Sequence, residues 1–301
     1  MTQVRTGYSA APITRSKQDI LSRITEVVLL AGTVRPTSLH QQIGRSGLDL
    51  PVDESRSILN HWQDHITHLA DRLQRDSLNT RVMIDWTATA PITAWPESKA
   101  PVSIERDPLE LRGTGGVLHD LAKQHDDQDY LLVISANQLL FEPLDQLVLE
   151  MASLGGDVQL VSYEDGTPAG MTLCRCGALR DIAPIGFVDL KEQALPVIAR
   201  SHQTLVLRKS IADVQPIRKL SDYLQGLRRM HGLDDTDLAT QPAFRLVEEG
   251  AIVDPQASVC DAVVLRGAKI GKGAVVARSL VLTGAHIKVG QVVVDQLVPM
   301  K

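Results

Sequence analysis

The sequence predicts an α/β domain of parallel β-α-β units followed by a short β-solenoid tail. Between Ile24 and Ser162, β-branched apolar runs alternate with stretches of helical spacing, and strands separated by helices are joined in parallel. From about residue 251 helical spacing disappears, Ala, Val and Gly dominate, and the chain repeats itself.

In chain order, residues 1–22 are polar without a sustained period and read as an arm or a short leading helix. Ile24 to Gly32 is a buried strand that delivers a loop. Ile58, Leu59, Trp62, Ile66, Leu69 and Leu73 recur at helical spacing, so a helix is expected over 55–73 with Ser55 as N-cap. Strands follow at Thr80–Trp86, Tyr130–Ala136 and Val158–Ser162, and helices at Val117–Lys123 and Leu144–Leu154. Pro91, Pro96 and Pro101 mark a long connection after Trp86. Ligands of such sheets bind at the carboxyl ends of the strands, which directs attention to the loops after Leu30 and Ile134.

In the tail, residues 257–273 and 274–290 align at a spacing of 17. Val259 meets Val276, Leu265 meets Leu282, Gly267-Ala268 meets Gly284-Ala285, and Ile270 meets Ile287. Small residues at fixed corners and apolar residues between them are the pattern of stacked coils. Two coils are few, so the tail is expected to pack on the first domain or on another subunit. The expected divisions are an arm over 1–22, the α/β domain over 23–240 and the tail over 241–301.

Composition excludes several roles. The chain has 301 residues, 44% hydrophobic and 22% charged, the profile of an ordinary folded protein. Its net charge of −5 argues against a phosphate-backbone binder, and 3% aromatic residues leave little for base-stacking platforms. Nucleic acid is therefore not an expected partner. No apolar run approaches the ~18 residues of a membrane span, so no membrane role is expected and the location is read as cytoplasmic. Cys174, Cys176 and Cys260 fit neither a disulfide framework nor a zinc pattern. His61, His65 and His68 share a helix face, but no carboxylate or Cys motif completes a metal site there; that face is expected to be polar and exposed.

The order of parts resembles the sugar-nucleotide pyrophosphorylase family. The stretches that carry the resemblance are Leu29-Leu30-Ala31-Gly32, Glu105 with Pro108-Leu109, Arg112-Gly113-Thr114-Gly115-Gly116, Tyr130 to Leu139, Gly186-Phe187-Val188-Asp189-Leu190 before Leu195-Pro196, and Ser221-Asp222-Tyr223-Leu224. The resemblance implies a Rossmann-like nucleotidyltransferase domain of the GT-A type plus a short left-handed parallel β-helix of hexapeptide-type repeats. It also implies the family's reaction, in which a sugar-1-phosphate attacks the α-phosphorus of a nucleoside triphosphate and pyrophosphate leaves. That step needs positioning and charge neutralisation more than covalent help.

Carried over residue by residue, Leu30, Ala31, Gly32 and Thr33 form the nucleotide loop, with Arg35 as its cation. Gly113, Thr114 and Gly115 approach the base and ribose, and Glu105, Gly186, Asp189 and Lys191 face the substrate. Arg45 stands where the family has a phosphate-contacting Lys, and keeps charge without lysine's compact geometry. Arg35 and Arg45 are thus the candidate catalytic cations. The first loop is shortened and carries Val34 where glycine flexibility is expected. The metal-binding Asp after the Tyr130 strand is replaced within Ser135-Ala136-Asn137, and Asn137 is a weak ligand for a hard cation. The second metal Asp falls at Pro216, with Asp213 out of register and Glu142 the other nearby carboxylate.

No metal ligand is therefore assigned, and Mg²⁺ is expected only if the protein is active. The expected function is binding of a nucleotide or sugar nucleotide with nucleotidyl transfer impaired or lost. Alternatives are an active but diverged pyrophosphorylase, a scaffolding or regulatory subunit, and a hexapeptide-repeat acyltransferase using His286, which merely occupies the repeat position of Lys269. A homo-oligomer formed through the tail is expected.

Overall fold

A computed structural model of the protein describes residues 15–32, 38–107, 113–183, 186–210, 213–233 and 243–300. Most of the expected arm, including residues 1–14, lies outside them. What is described of it is α1 (Lys17–Ser22), capped by the Ser16 side chain on the Asp19 amide.

The α/β part runs β1 (Ile24–Leu30), α2 (Ser38–Gln42), α3 (Ile58–Arg72), β2 (Asn79–Ile84), β3 (Val102–Arg106), α4 (Gly113–Ala122), β4 (Tyr130–Ser135), β5 (Gln138–Leu140), α5 (Leu144–Leu154), β6 (Val158–Tyr163) and β7 (Pro168–Arg175). It continues through α6 (Cys176–Arg180), a π-helical turn at Leu190–Ala194, α7 (Leu195–Ser201), β8 (Thr204–Lys209), β9 (Val214–Pro216) and α8 (Leu220–Met230). The main sheet is ordered β3-β2-β1-β4-β7-β6-β8. β1 pairs in parallel with β2 and β4, and β6 with β8.

The expectation of a parallel sheet needs one correction. β7 is antiparallel to both neighbours, β4 and β6. The cause is local: Asp165-Gly166 turns the chain back on itself with Gly166 at φ 87 and the Tyr163 amide on the Thr167 carbonyl, the chemistry of a hairpin.

Alternation along the central strands explains the layers. Val27, Leu29, Leu132 and Ile134 face a core shared with α1, α3 and α5, whereas Val28, Leu131 and Val133 face a second core shared with α4, α6 and α7. Period-2 alternation puts helices on both faces of the sheet. α3 starts later than expected because Ser57, not Ser55, is the N-cap: its hydroxyl accepts from the Asn60 amide and the Asn60 side chain accepts from the Ser57 amide. Ser55 instead donates to the Asp53 carboxylate in the preceding turn.

The tail forms three parallel sheets. One contains β10 (Arg245–Val247), β13 (Ala262–Val264), β16 (Leu280–Val281) and β19 (Leu297–Val298); the second β11 (Ile252–Val253), β14 (Lys269–Ile270) and β17 (His286–Ile287); the third β12 (Ser258–Cys260), β15 (Val275–Ala277) and β18 (Val292–Val294). Ser258 pairs with Val275 and Val275 with Val292, each step advancing one 17-residue coil. The repeat thus extends on both sides of the two aligned units. Val259, Val276, Val293, Ile270 and Ile287 fill the interior of the stack.

The β10-β13-β16 face also meets the α/β domain. Leu246, Val263, Leu265, Leu280 and Leu282 belong to the same apolar core as Trp62 and Tyr223. Of the two expected packings, the tail has the first, on its own α/β domain.

Candidate functional site

The strand ends of β1, β2 and β4 lie side by side, and three segments around them make up the candidate site. After β1, the amides of Ala31 and Gly32 both donate to the Met83 carbonyl, at 2.9 and 3.2 Å. This draws the loop so close to β2 that a Cβ on Gly32 would lie 2.6 Å from the Asp85 amide nitrogen. Glycine at this position is set by close approach of backbone rather than by torsion. On the other side the Ala136 amide donates to the Leu30 carbonyl at 3.0 Å. Thr33 and Arg35 lie outside the described residues.

The second wall joins two stretches far apart in sequence. Gly113 opens α4 at φ +75, and a Cβ there would sit 2.4 Å from the Val188 carbonyl oxygen. The Gly115 amide donates to that same oxygen at 2.8 Å, and the Leu190 amide donates to the Thr114 hydroxyl at 3.1 Å. The predicted residues Gly113, Thr114 and Gly115 are thereby brought together with the segment holding Gly186, Asp189 and Lys191. Part of the glycine signal is spent on this internal contact, since the Gly115 N–H points at protein.

Asp189 caps the turn that follows, accepting from the Lys191 and Glu192 amides at 2.8 and 2.9 Å. The surrounding protein desolvates the Lys191 ammonium and lowers its pKa; Asp189 works against that shift and Arg218 adds to it. Lys191 nevertheless reaches solvent along its length, as long amphipathic side chains do. Lys191 and the exposed Arg218 give this wall its positive charge.

Asn137 forms the third wall at the β4–β5 turn. Its carbonyl accepts from the Ile217 amide at 3.0 Å, and its side chain is bonded to His40. Burial lowers the His40 pKa, and the Asn137 bond offsets part of that. The His40 ring lies against Gly47, where a Cβ would be 2.4 Å from Nε2. The donors gathered here are thus an amide and an imidazole, without a carboxylate. Such a set does not fit Mg²⁺, which takes carboxylate, phosphate and water oxygens.

The two carboxylates considered as replacement ligands, Glu142 and Asp213, lie elsewhere. β5 and β9 run antiparallel from Gln138↔Pro216 to Leu140↔Val214, which carries Glu142 and Asp213 past the turn by on the order of 10 Å along the strand. Glu142 is 2.7 Å from the Lys209 ammonium, which also holds Glu150 at 3.0 Å. Among the described residues no group of three or more His, Cys, Asp or Glu is placed to hold a metal.

Two further predicted residues have protein partners. Arg45 makes a two-pronged contact with Glu248 of the tail, at 2.8 and 2.9 Å, and Glu248 also accepts from the Arg266 amide. Glu105 pairs with Arg81 at 2.9 Å, beside the buried Glu26.

The expectation of a polar, exposed histidine face is overturned for two of its three members. His61 is 7% exposed, and the Nε2 atoms of His61 and His65 lie 3.1 and 3.3 Å from the Leu140 carbonyl. Their rings meet edge to face at 4.5 Å. Burial pushes the His61 pKa down to about 3 and also lowers that of His65. His68 alone stays exposed.

His40, Asp85 and Arg218 escape sequence reading. For Asp85 a signal exists: Thr87 follows two residues later, and the carboxylate accepts from the Thr87 amide and hydroxyl and the Ala88 amide, an Asx turn. His40 carries none, because its partner Asn137 is remote in sequence.

No family model matches the chain, and no curated protein does. Among the described residues no helix is long and apolar enough to cross a membrane. The chain is similar to the crystal structure of HddC from Yersinia pseudotuberculosis complexed with GMP-PN, at 16% identity and a TM-score of 0.48, over 69% of this chain and 100% of that one. HddC without that ligand gives the same identity and coverage, with a TM-score of 0.47. At that identity and score neither likeness assigns the chain to a family.

Proposed function

We propose that the protein is a diverged relative of the sugar-nucleotide pyrophosphorylases that binds a nucleotide or sugar nucleotide at the strand-end cleft, with nucleotidyl transfer to a sugar-1-phosphate impaired or lost. Its α/β part corresponds in this reading to a GT-A-type domain over 23–240, and its tail over 241–301 to a left-handed β-helix.

The observation that carries the reading is the pairing of Asn137 with His40 at the end of β4. There the resemblance expects a metal-bound Asp, while Glu142 is engaged by Lys209. Loss of a preorganised charge stabiliser commonly costs several kcal/mol of barrier. Binding asks for less: Lys191 with Arg218 supplies positive charge for a phosphate, and the closely packed backbone at Ala31–Gly32 and at the opening of α4 shapes the surface beside it. Arg45, tied to Glu248, acts in this reading as a strut between domain and tail. Cytoplasmic location and a homo-oligomer built through the tail belong to the same proposal. The oligomer is supported by Val289, Val292 and Met300, exposed by 74%, 64% and 70% on the last coil.

Calorimetric titration with nucleoside triphosphates, with and without Mg²⁺, tests the binding half. Saturable binding that Mg²⁺ leaves within about twofold supports the reading; binding that requires Mg²⁺ speaks for the active, diverged alternative, and absence of binding for a scaffold.

A further inference from the structure

The segment that brings Lys191 to the strand-end site is held at both ends. At the near end the Gly115 amide donates to the Val188 carbonyl and the Leu190 amide to the Thr114 hydroxyl. From there the π-helical turn at Leu190–Ala194 runs directly into α7. Leu190, Ala194, Leu195 and Ile198 bury one face of this run in the core shared with α4 and α6. Apolar burial is non-directional, so the placement of the run along its axis falls to directed contacts.

The directed contact at the far end is His202, the C-cap of α7. Its Nε2 lies 2.7 Å from Oδ2 of Asp181, the C-cap of α6. The chain leaving α6 and the chain entering β8 are thus joined at one point. The His202 side chain is 12% exposed and that of Asp181 54%.

The other ring nitrogen has a partner in either protonation state. Nδ1 is 3.3 Å from Arg175 Nη2 and 3.7 Å from Asp157 Oδ2. A neutral ring accepts there from Arg175, whereas an imidazolium donates toward Asp157 and holds Asp181 as an ion pair. The surrounding charges are committed among themselves: Arg175 Nε and Arg15 Nε lie 2.6 and 3.6 Å from Asp157 Oδ1, and Arg180, beside Asp181, is paired with Asp127. The bond to Asp157 raises the His202 pKa, burial opposes it, and Asp181 adds to the rise.

We propose that Asp181 and His202 form a proton-dependent clasp that positions the Lys191 segment of the strand-end site from its far end. Both are positioning residues: at ~1.5 Å per helical residue the His202 ring stands on the order of 15 Å from Lys191. The consequence for a ligand rests on the proposed function, in which Lys191 meets a phosphate; the clasp itself does not. Its sign follows from the charged ring being the form the folded protein favours. The clasp is strongest below the unfolded histidine pKa of about 6.5 and weakens as pH rises through the higher folded value, where one ordinary hydrogen bond to Asp181 remains.

Amide hydrogen exchange of the full chain, read by mass spectrometry at about pH 6 and about pH 8.5 and corrected for the intrinsic rate, tests the clasp. Peptides within 190–201 are expected to lose roughly fivefold protection at the higher pH, and peptides of α5 none. Asp181→Asn keeps an acceptor for the ring but removes the charge; circular dichroism verifies that this surface variant is folded. It is expected to show the lower protection already at the lower pH, with a His202 pKa, read by NMR of the imidazole, below that of the wild type. Unchanged wild-type protection between the two pH values, an equal loss in α5, or wild-type pH dependence in Asp181→Asn overturns the clasp. Calorimetric titration with nucleoside triphosphates reads its effect on the site: the wild type is expected to bind about threefold tighter than Asp181→Asn at the lower pH and equally at the higher. Equal affinity at both overturns the positioning role. Exchange needs no ligand, so it decides the clasp even where no nucleotide binds, and absence of binding speaks against the proposed function alone.

Discussion

Burial disfavours the charged forms of His61 and His65, and stability follows from that. Burial sets the folded pKa of His61 at about 3, below its unfolded value of about 6.5. Between these values the unfolded chain binds the extra proton. Stability is therefore full above about pH 6.5 and falls as the pH drops toward 3, by roughly 1 kcal/mol per pH unit while His61 dominates. In His61→Gln, which keeps a donor for the Leu140 carbonyl, the midpoint of urea unfolding is expected to depend less steeply on pH between 6 and 4. An unchanged slope would remove His61 as the cause. Sequence spacing placed these histidines on one face but not on which side of the molecule, because burial depends on α5 and β5 packing over them. The same holds around Asn137: it was legible as a departure from the Asp of the family that the sequence resembles, whereas its bond to His40 joins segments no local pattern connects.

At the scale of elements, the strongly periodic strands and helices between Ile24 and Ser162 were readable to within a few residues, whereas β7, β8 and α8 beyond them were not predicted. α5 was placed at Leu144–Leu154, as found, and β4 ended one residue short of the expected Ala136. Elements without an apolar stripe were missed. β3, Val102–Arg106, is an edge strand with largely exposed residues, and its Pro-rich approach hid it. The glycines of Gly113-Thr114-Gly115 were legible as important, but their immediate reason is Val188. Gly113→Ala places a Cβ 2.4 Å from the Val188 carbonyl at φ +75, and is expected to cost at least about 2 kcal/mol in denaturant titration. Gly232→Ala, at φ +69 with open space around it, should cost only about 1 kcal/mol. Similar costs for both would mean that torsion, not contact with Val188, governs the first site.

For the whole molecule, the tail is part of the main core rather than an appendage. The 17-residue repeat was visible in the sequence because like residues recur at like corners. That the β10-β13-β16 face packs on the α/β domain was not, since Leu and Val on a solenoid face are equally suited to another subunit. Arg45–Glu248 and Arg228–Asp261 tie the tail to the domain. Leu280 is fully buried in the shared core, so Leu280→Ala is expected to lose about 2–5 kcal/mol. The fluorescence of buried Trp62 should report it in the same transition as far-UV circular dichroism. Two separated transitions would show that the tail unfolds on its own.

In the proposed reading the molecule keeps a nucleotide-binding scaffold without the carboxylates that transfer requires. Pyrophosphate release tests that claim most directly, measured with each nucleoside triphosphate, a panel of sugar-1-phosphates and Mg²⁺. Release at the rate of the protein-free control is the predicted result. Turnover at ordinary enzymatic rates, on the order of 1 per second or faster, with any sugar-1-phosphate would contradict it.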